Sequence, residues 1–311
     1  AGGRHIHKRN PASSPSDALD PTTFISCRPR RGMLAVGSTD GGVRLIDAAT
    51  GTIRWEVPTG EHSTVTMSPD GRFVASVSQS EEHWTLRHDG TGACRCRATR
   101  SGRKLDAGCQ AQAHTAGLTA VAFSPCGQRL ATGGHDKSVI LWDAHTGKGA
   151  QHLRGHRLRV TSVCFSADGA RLASASYGTT IRVWDTATGA LFRTIAAATG
   201  GPVFRVSFSP TDNKVLAAAG CVLSIVWDVD TGKRIRNRIT GKLLAVFSPD
   251  GRTVATSSVG NVMLLVDAGS RAVRSRMDHT SPVFPSSFSV DGSKLATGCY
   301  DGTCKVWDSS N

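Results

Sequence analysis

Long apolar runs are missing from this chain: nothing in it approaches about eighteen consecutive apolar residues, so no transmembrane segment is expected. Aromatic residues are scarce, at 6%, and few stand beside basic ones, which removes the stacking platform of a single-strand nucleic-acid groove. No glycine-rich segment leads into a helix, so a phosphate-cradling loop is not expected either. A disulfide framework is also absent. The nine cysteines, an odd number, are scattered through strands and turns, which fits a reducing compartment where Cys behaves as a small apolar residue. Their one cluster, Cys94, Cys96 and Cys109 near His88 and His114, lacks the CxxC pairing of a zinc site. CxC on a strand only puts two side chains on one face, so no metal is expected, and nothing calls for a cofactor.

Acidic residues are in deficit. Against 24 of them stand 37 basic ones, 28 of which are Arg, for a net charge of +13. Such a field attracts acidic proteins, nucleic acid or an anionic membrane surface, although an Arg bias spread around a surface for solubility accounts for it equally well.

What the chain does have is a repeat. Leu118 to Gly147 holds a β-rich run ending at Phe123, a turn, an alternating run from Arg129 to Gly133, a polar turn through Asp136, and a third run ending Leu141-Trp142-Asp143. Three short strands bounded by turn residues read as an antiparallel meander. A small sheet of this kind cannot bury both faces alone, so copies must stack. The Trp-Asp position recurs at Ile46-Asp47, His88-Asp89, Trp142-Asp143, Trp184-Asp185, Trp227-Asp228, Val266-Asp267 and Trp307-Asp308, which makes seven. The end of the first strand falls at Cys27, Met67, Phe123, Phe165, Phe208, Phe247 and Phe288, nineteen residues before the Trp-type position in six of the seven. Met67 to His88 is two residues longer, and the turn at 79–83 is expected to hold them.

On these motifs the chain resembles the WD40-repeat β-propeller family over nearly its whole length. The resemblance implies an all-β fold: a single seven-bladed propeller of four-stranded antiparallel blades, with strand a innermost and strand d at the rim. It also implies that the loops joining d to a and b to c lie on a top face, and those joining a to b and c to d on a bottom face. Residues 22–311 then form the propeller, with blades at about 22–61, 62–112, 113–154, 155–198, 199–240, 241–277 and 278–311. Residues 1–21 form an arm and connector. Only three residues follow Asp308, so about Arg4 to Arg9 is expected to supply the outer strand of blade 7 and close the ring, the alternative being an unpaired tail. The chain starts at Ala1 rather than Met, which leaves open a removed targeting segment; an intracellular, cytoplasmic place is expected, with an organelle as the alternative.

His114, Thr132, Asp136 and Trp142 recur as His279, Thr297, Asp301 and Trp307, and in part as His156, Ser174 and Trp184, where Gly178 takes the Asp position. Hydroxyl, imidazole and carboxylate imitate a nucleophilic relay, but a catalytic site would be singular and would need an exposed nucleophile. The resemblance implies hydrogen-bonded structural tetrads instead, so no catalytic residue and no enzyme is expected. The Asp-Gly turns at Asp70-Gly71, Asp168-Gly169, Asp250-Gly251 and Asp291-Gly292 read as turn chemistry.

Candidate partner-binding residues lie in expected top loops: Arg100, Arg103 and Lys104 in an insertion at about Ala98 to Gln112; Arg154, Arg157 and Arg159 between blades 3 and 4; and His135, Tyr177 and Tyr300. Arginines fork onto carboxylates or phosphates, and Tyr commonly anchors interfaces. The function expected is a non-enzymatic protein-interaction scaffold, or a subunit of a larger assembly, docking protein partners through its top face. The alternative is a basic propeller associated with RNA or a ribonucleoprotein particle. A ubiquitin-ligase substrate receptor ranks below both, because no Arg or Lys follows the Trp-Asp pairs at 144–145, 186–187, 229–230 or 309–310.

Overall fold

The computed structural model describes residues 4–7, 24–28, 33–37, 42–47, 50–58, 63–78, 84–88, 94–97, 114–147, 149–220, 222, 224–239, 242–258, 260–270, 272–289, 291–299 and 304–309. After β1 (Arg4–His7), the first sheet holds β2 (Phe24–Arg28), β3 (Met33–Gly37), β4 (Gly42–Asp47) and β5 (Ile53–Pro58). The second holds β6 (Ser63–Met67), β7 (Phe73–Ser78), β8 (Trp84–His88) and β9 (Cys94–Arg97). The third holds β10 (Leu118–Phe123), β11 (Arg129–Gly134), β12 (Val139–Asp143) and β13 (Gly149–Leu153). In the fourth are β14 (Val160–Phe165), β15 (Arg171–Ser176), β16 (Thr180–Asp185) and β17 (Leu191–Ala196). The fifth comprises β18 (Val203–Phe208), β19 (Val215–Gly220), β20 (Ser224–Asp228) and β21 (Arg234–Ile239). The sixth comprises β22 (Lys242–Phe247), β23 (Thr253–Ser258), β24 (Val262–Asp267) and β25 (Val273–Asp278). In the last sheet β26 (Val283–Phe288), β27 (Lys294–Cys299) and β28 (Cys304–Asp308) are joined by β1, which runs antiparallel to β28 with Arg4 opposite Val306 and His5 opposite Lys305.

This is a β-propeller of small antiparallel sheets, all-β among the described residues. The first strand of each sheet packs against the first strand of the next, from β2 through β6, β10, β14, β18 and β22 to β26, and β26 packs back against β2. Among the described residues no helix is long and apolar enough to cross a membrane.

Burial follows from this stacking. The second strands, such as Leu130 to Gly134 in β11 and Leu172 to Ser176 in β15, are buried at every position, because sheets cover them on both faces. Small Ala and Ser side chains there let the sheets approach. The rim strands β17 and β25 are mostly exposed. Between the third and fourth sheets, Ala131, Leu141 and Leu153 meet Val160, Leu172 and Trp184 in one core, and Leu34, Val36 and Ile46 of the first sheet meet Ala296 of the last.

The Asp-Gly turns between first and second strands share one chemistry. The Ser68 hydroxyl donates to Asp70 Oδ1 at 2.6 Å and accepts the Phe73 N–H at 2.9 Å, while Gly71 takes a positive φ of 71°. That left-handed conformation favours glycine. At the other turn, the aspartate of the Trp-Asp pair is a cap: Asp143 Oδ1 accepts the Thr146 N–H at 2.7 Å and the Thr146 hydroxyl at 2.9 Å.

The second sheet corrects one alignment. Val74 lies opposite Arg87, and Phe73 opposite His88. In the third sheet the matching pairs are Leu130 with Trp142 and Arg129 with Asp143. The Trp-type position is therefore Arg87 rather than His88, and His88 rather than Asp89 takes the Asp position, leaving a single extra residue. The letter Asp points to His88-Asp89, whereas register is set by ladder pairing, and a one-residue slip turns every side chain to the other face.

Leu172 is fully buried between two sheets. Leu172→Ala should lower unfolding free energy by about 2–5 kcal/mol, read as a drop in urea midpoint, since the rigid strands around it cannot collapse into the space. A loss below about 1 kcal/mol would show that this interface is loosely packed.

Candidate functional site

The groups that imitate a relay are held by β10–β12 and the residues before them. In the third sheet, Trp142 Nε1–H donates to Thr132 Oγ1 at 2.7 Å, and the Thr132 hydroxyl lies 2.8 Å from His114 Nε2. His114 Nδ1 lies 2.8 Å from Asp136 Oδ2. The carboxylate can only accept, so His114 Nδ1–H donates to Asp136, and in the neutral ring Nε2 then accepts the Thr132 hydroxyl, which itself accepts the indole N–H. Asp136 also accepts the Thr115 N–H at 3.0 Å and the Ser138 N–H at 3.1 Å. Burial pushes its pKa upward, but the hydrogen bonds and charge of His114, then the Thr115 and Ser138 bonds, outweigh this and hold the carboxyl well below the usual range. Thr132 is fully buried and His114 nearly so, which leaves no nucleophile open to a substrate.

The fourth sheet keeps half of this chain. His156 Nε2 lies 2.7 Å from Ser174 Oγ, which accepts Trp184 Nε1–H at 2.8 Å. Gly178 stands where the third sheet has Asp136, and His156 Nδ1 is buried without a hydrogen-bond partner. Burial, and after it the charge of Arg182, pushes the imidazole down to about 4 from its ordinary 6.5. In the last sheet Trp307 Nε1–H donates to Thr297 Oγ1 at 2.8 Å, while His279 Nδ1 lies 3.0 Å from Cys299 Sγ. Cys299 Sγ on β27 is thus within reach of His279, and Asp301 lies outside the described residues. The fifth sheet has Ala218 where the hydroxyl would be, and Trp227 Nε1 is buried without a partner.

The family described as "WD domain, G-beta repeat" matches residues 108–143, 147–185 and 271–308. The chain carries WD40 repeats. Two of the matched segments, 147–185 and 271–308, start with the rim strand of one sheet and run through three strands of the next, so a WD40 sequence repeat spans two neighbouring blades. The chain is 30% identical over 209 residues to Periodic tryptophan protein 2 homolog of Dictyostelium discoideum, covering 64% of this chain and 22% of that protein. It is 30% identical over 233 residues to Nuclear distribution protein PAC1 of Coccidioides posadasii, covering 64% of this chain and 50% of that one. U3 small nucleolar RNA-associated protein 12 of Saccharomyces cerevisiae is 34% identical over 100 residues, covering 31% of this chain and 11% of its own length. The chain spans half or less of the length of these curated relatives.

On the WD40 scaffold the loop before β14 and the loop after β15 meet at one end, where the Tyr177 N–H donates to the Arg159 carbonyl at 3.0 Å. The Arg159 guanidinium lies 4.6 Å from the centre of the Tyr177 ring, and Phe204 of the next blade meets that ring edge-on at 6.3 Å. Tyr177, Leu158 and Val222 remain 40%, 45% and 51% exposed. Sequence reading singled out Arg159 and Tyr177 but missed Leu158, Phe204 and Val222, whose signal was apolar residues in loops. Arg154 and Arg157 are exposed on the same loop. Arg154 lines an open groove of about 260 Å³ with Asp136, Lys137, His152 and His156. His135 sits apart in the preceding blade, its N–H on the Gly117 carbonyl at 2.8 Å. Arg100, Arg103, Lys104 and Tyr300 lie outside the described residues, as do Cys109 and the side chains of Cys94, Cys96 and His88. Among the described residues no three His, Cys, Asp or Glu side chains gather as metal ligands.

Thr132→Val keeps the shape but leaves two buried ring nitrogens without a partner, and should cost about 2–4 kcal/mol in urea unfolding. A loss under about 0.5 kcal/mol in that variant would make the network ornamental. A second outcome concerns pH. The folded His156 stays neutral below its ordinary value, so as pH falls through 6.5 the unfolded chain takes up a proton that the folded chain refuses, and stability declines until about 4. Wild type should lose up to about 3 kcal/mol more than His156→Gln across that window, and parallel pH profiles would refute it.

Proposed function

We propose that this chain is a non-enzymatic docking scaffold: a closed seven-bladed ring, with β1 completing the last blade, whose top face between blades 4 and 5 holds a protein partner. The carrying observation is the stack of Arg159, Tyr177 and Phe204 across two blades, flanked by the exposed Leu158. A rigid aromatic held between a cation and a second ring, with aliphatic groups beside it, is the composition of an interface anchor. The packing of β2 against β26 and the pairing of β1 with β28 support the closed ring. We read the His-Thr-Asp-Trp chains as the ties that hold loops to strands within blades, because they are repeated and buried. Thiols outside any disulfide at Cys126 and Cys164 support an intracellular place for the scaffold.

Partner capture by the intact protein, compared with Arg154/Arg157/Arg159→Glu and with Tyr177→Ala, tests the face. Both variants should keep the wild-type melting temperature and lose the same partners. Retention of every partner by both would place docking elsewhere.

A second reading, association with RNA or a ribonucleoprotein particle, draws on the net charge of +13 and on the relative named U3 small nucleolar RNA-associated protein 12. Under it, RNA affinity should fall steeply with salt, and the triple Arg→Glu variant should flatten the slope by about 0.7 for each phosphate it no longer neutralises. RNA binding that ignores salt would remove this reading.

A further inference from the structure

The blade 3 tetrad defines what its carboxylate needs: the Nδ1–H of His114 and the backbone N–H groups of Thr115 and Ser138. At the same offsets blade 4 has His156, Arg157 and Thr180 around Gly178. The turn that presents them has the same shape in both blades, with φ of 67° at Lys137 and 64° at Thr179. His156 is 6% exposed, its Nε2 is committed to Ser174, and its Nδ1 has no partner. The nearby Ser176 hydroxyl is committed as well, donating to the Leu158 carbonyl at 3.0 Å and accepting the Gly178 N–H at 3.1 Å. Cationic groups stand beside His156, and Asp136 lines the same groove. Arg182, whose charge acts on the imidazole, lies with its guanidinium against Gly155, and Arg157 follows His156 directly.

Gly178 leaves room for a side-chain carbon. A Cβ at Gly178 would come no nearer than 3.5 Å to Ser176 Oγ and 3.7 Å to Leu158, and the glycine is not in the left-handed region. Neither a positive φ nor a close approach requires glycine at this turn position.

We propose that this position in blade 4 binds a carboxylate carried by the partner, an Asp or Glu side chain of an acidic segment, in the place that Asp136 fills in blade 3. The partner completes the tetrad in trans, so docking at Tyr177 and ordering of the blade become one event. This deepens the docking reading and rests on it for the source of the carboxylate; the site itself rests on His156, Gly178 and Arg182.

The test titrates wild type with sodium acetate against sodium chloride at matched ionic strength, following the melting temperature and the side-chain ¹⁵N resonances of His156. A saturable rise in melting temperature with a shift at Nδ1 is expected. Gly178→Asp supplies the carboxylate in cis, so it should melt above wild type and ignore acetate. His156→Gln should also ignore acetate, which keeps the test decisive if Gly178→Asp folds poorly. No saturable response in wild type, or an equal response in His156→Gln, overturns the site. A capped triaspartate peptide should bind at least about tenfold tighter than acetate, and triasparagine should not bind, because the neighbouring arginines add to the attraction. Acetate binding without triaspartate binding overturns the partner as the source. Loss of partners by the Arg→Glu variant alongside a silent acetate titration would sink this inference and leave the docking face standing.

Discussion

Every part of this molecule depends on one sheet covering its neighbour. A four-stranded antiparallel sheet with apolar side chains on both faces has nowhere to put them in water, and each blade becomes stable only when it is sandwiched. The second strands state this most plainly. Leu172, Ala173, Ser174, Ala175 and Ser176 are all buried, though alternate residues point to opposite faces. With inner strands consumed by packing, only loops and rim strands are free to meet another molecule.

Sandwiching also decides the fate of polar groups. An indole N–H or an imidazole drawn between sheets must find a partner there, and blade 3 satisfies it through Thr132, His114 and Asp136. The blades differ in how far they complete this chain. Blade 4 stops at an imidazole with one bare nitrogen and blade 5 at a bare indole. Local stability therefore varies around the propeller with how far each blade satisfies its buried polar groups.

Arginine is used in two ways. At the rim, Arg171 pairs with Asp230 of the next blade at 2.6 Å and covers the Phe192 ring at 4.2 Å. At the top, Arg159 covers Tyr177 in the same manner, but beside exposed aliphatic groups. The net charge by itself could not separate a cross-blade strut from an exposed stack.

The repeat, the turn chemistry at Asp70-Gly71 and its copies, and the spacing from Phe123 to Trp142 were legible because strand length, turn type and ladder pairing are local and recur. Residue identity likewise showed that Gly178 interrupts a pattern. Blade 2 marks the limit: with no tryptophan near the end of β8 to anchor the alignment, only hydrogen-bond register could place Arg87 opposite Val74. Nor could the sequence show that Phe204 meets Tyr177, that Arg182 lies against Gly155, or that His156 Nδ1 goes without a partner. Those facts arise between residues far apart in sequence. The chain writes each blade through local periodicity, whereas which side chains face each other across two blades is decided only when the sheets pack.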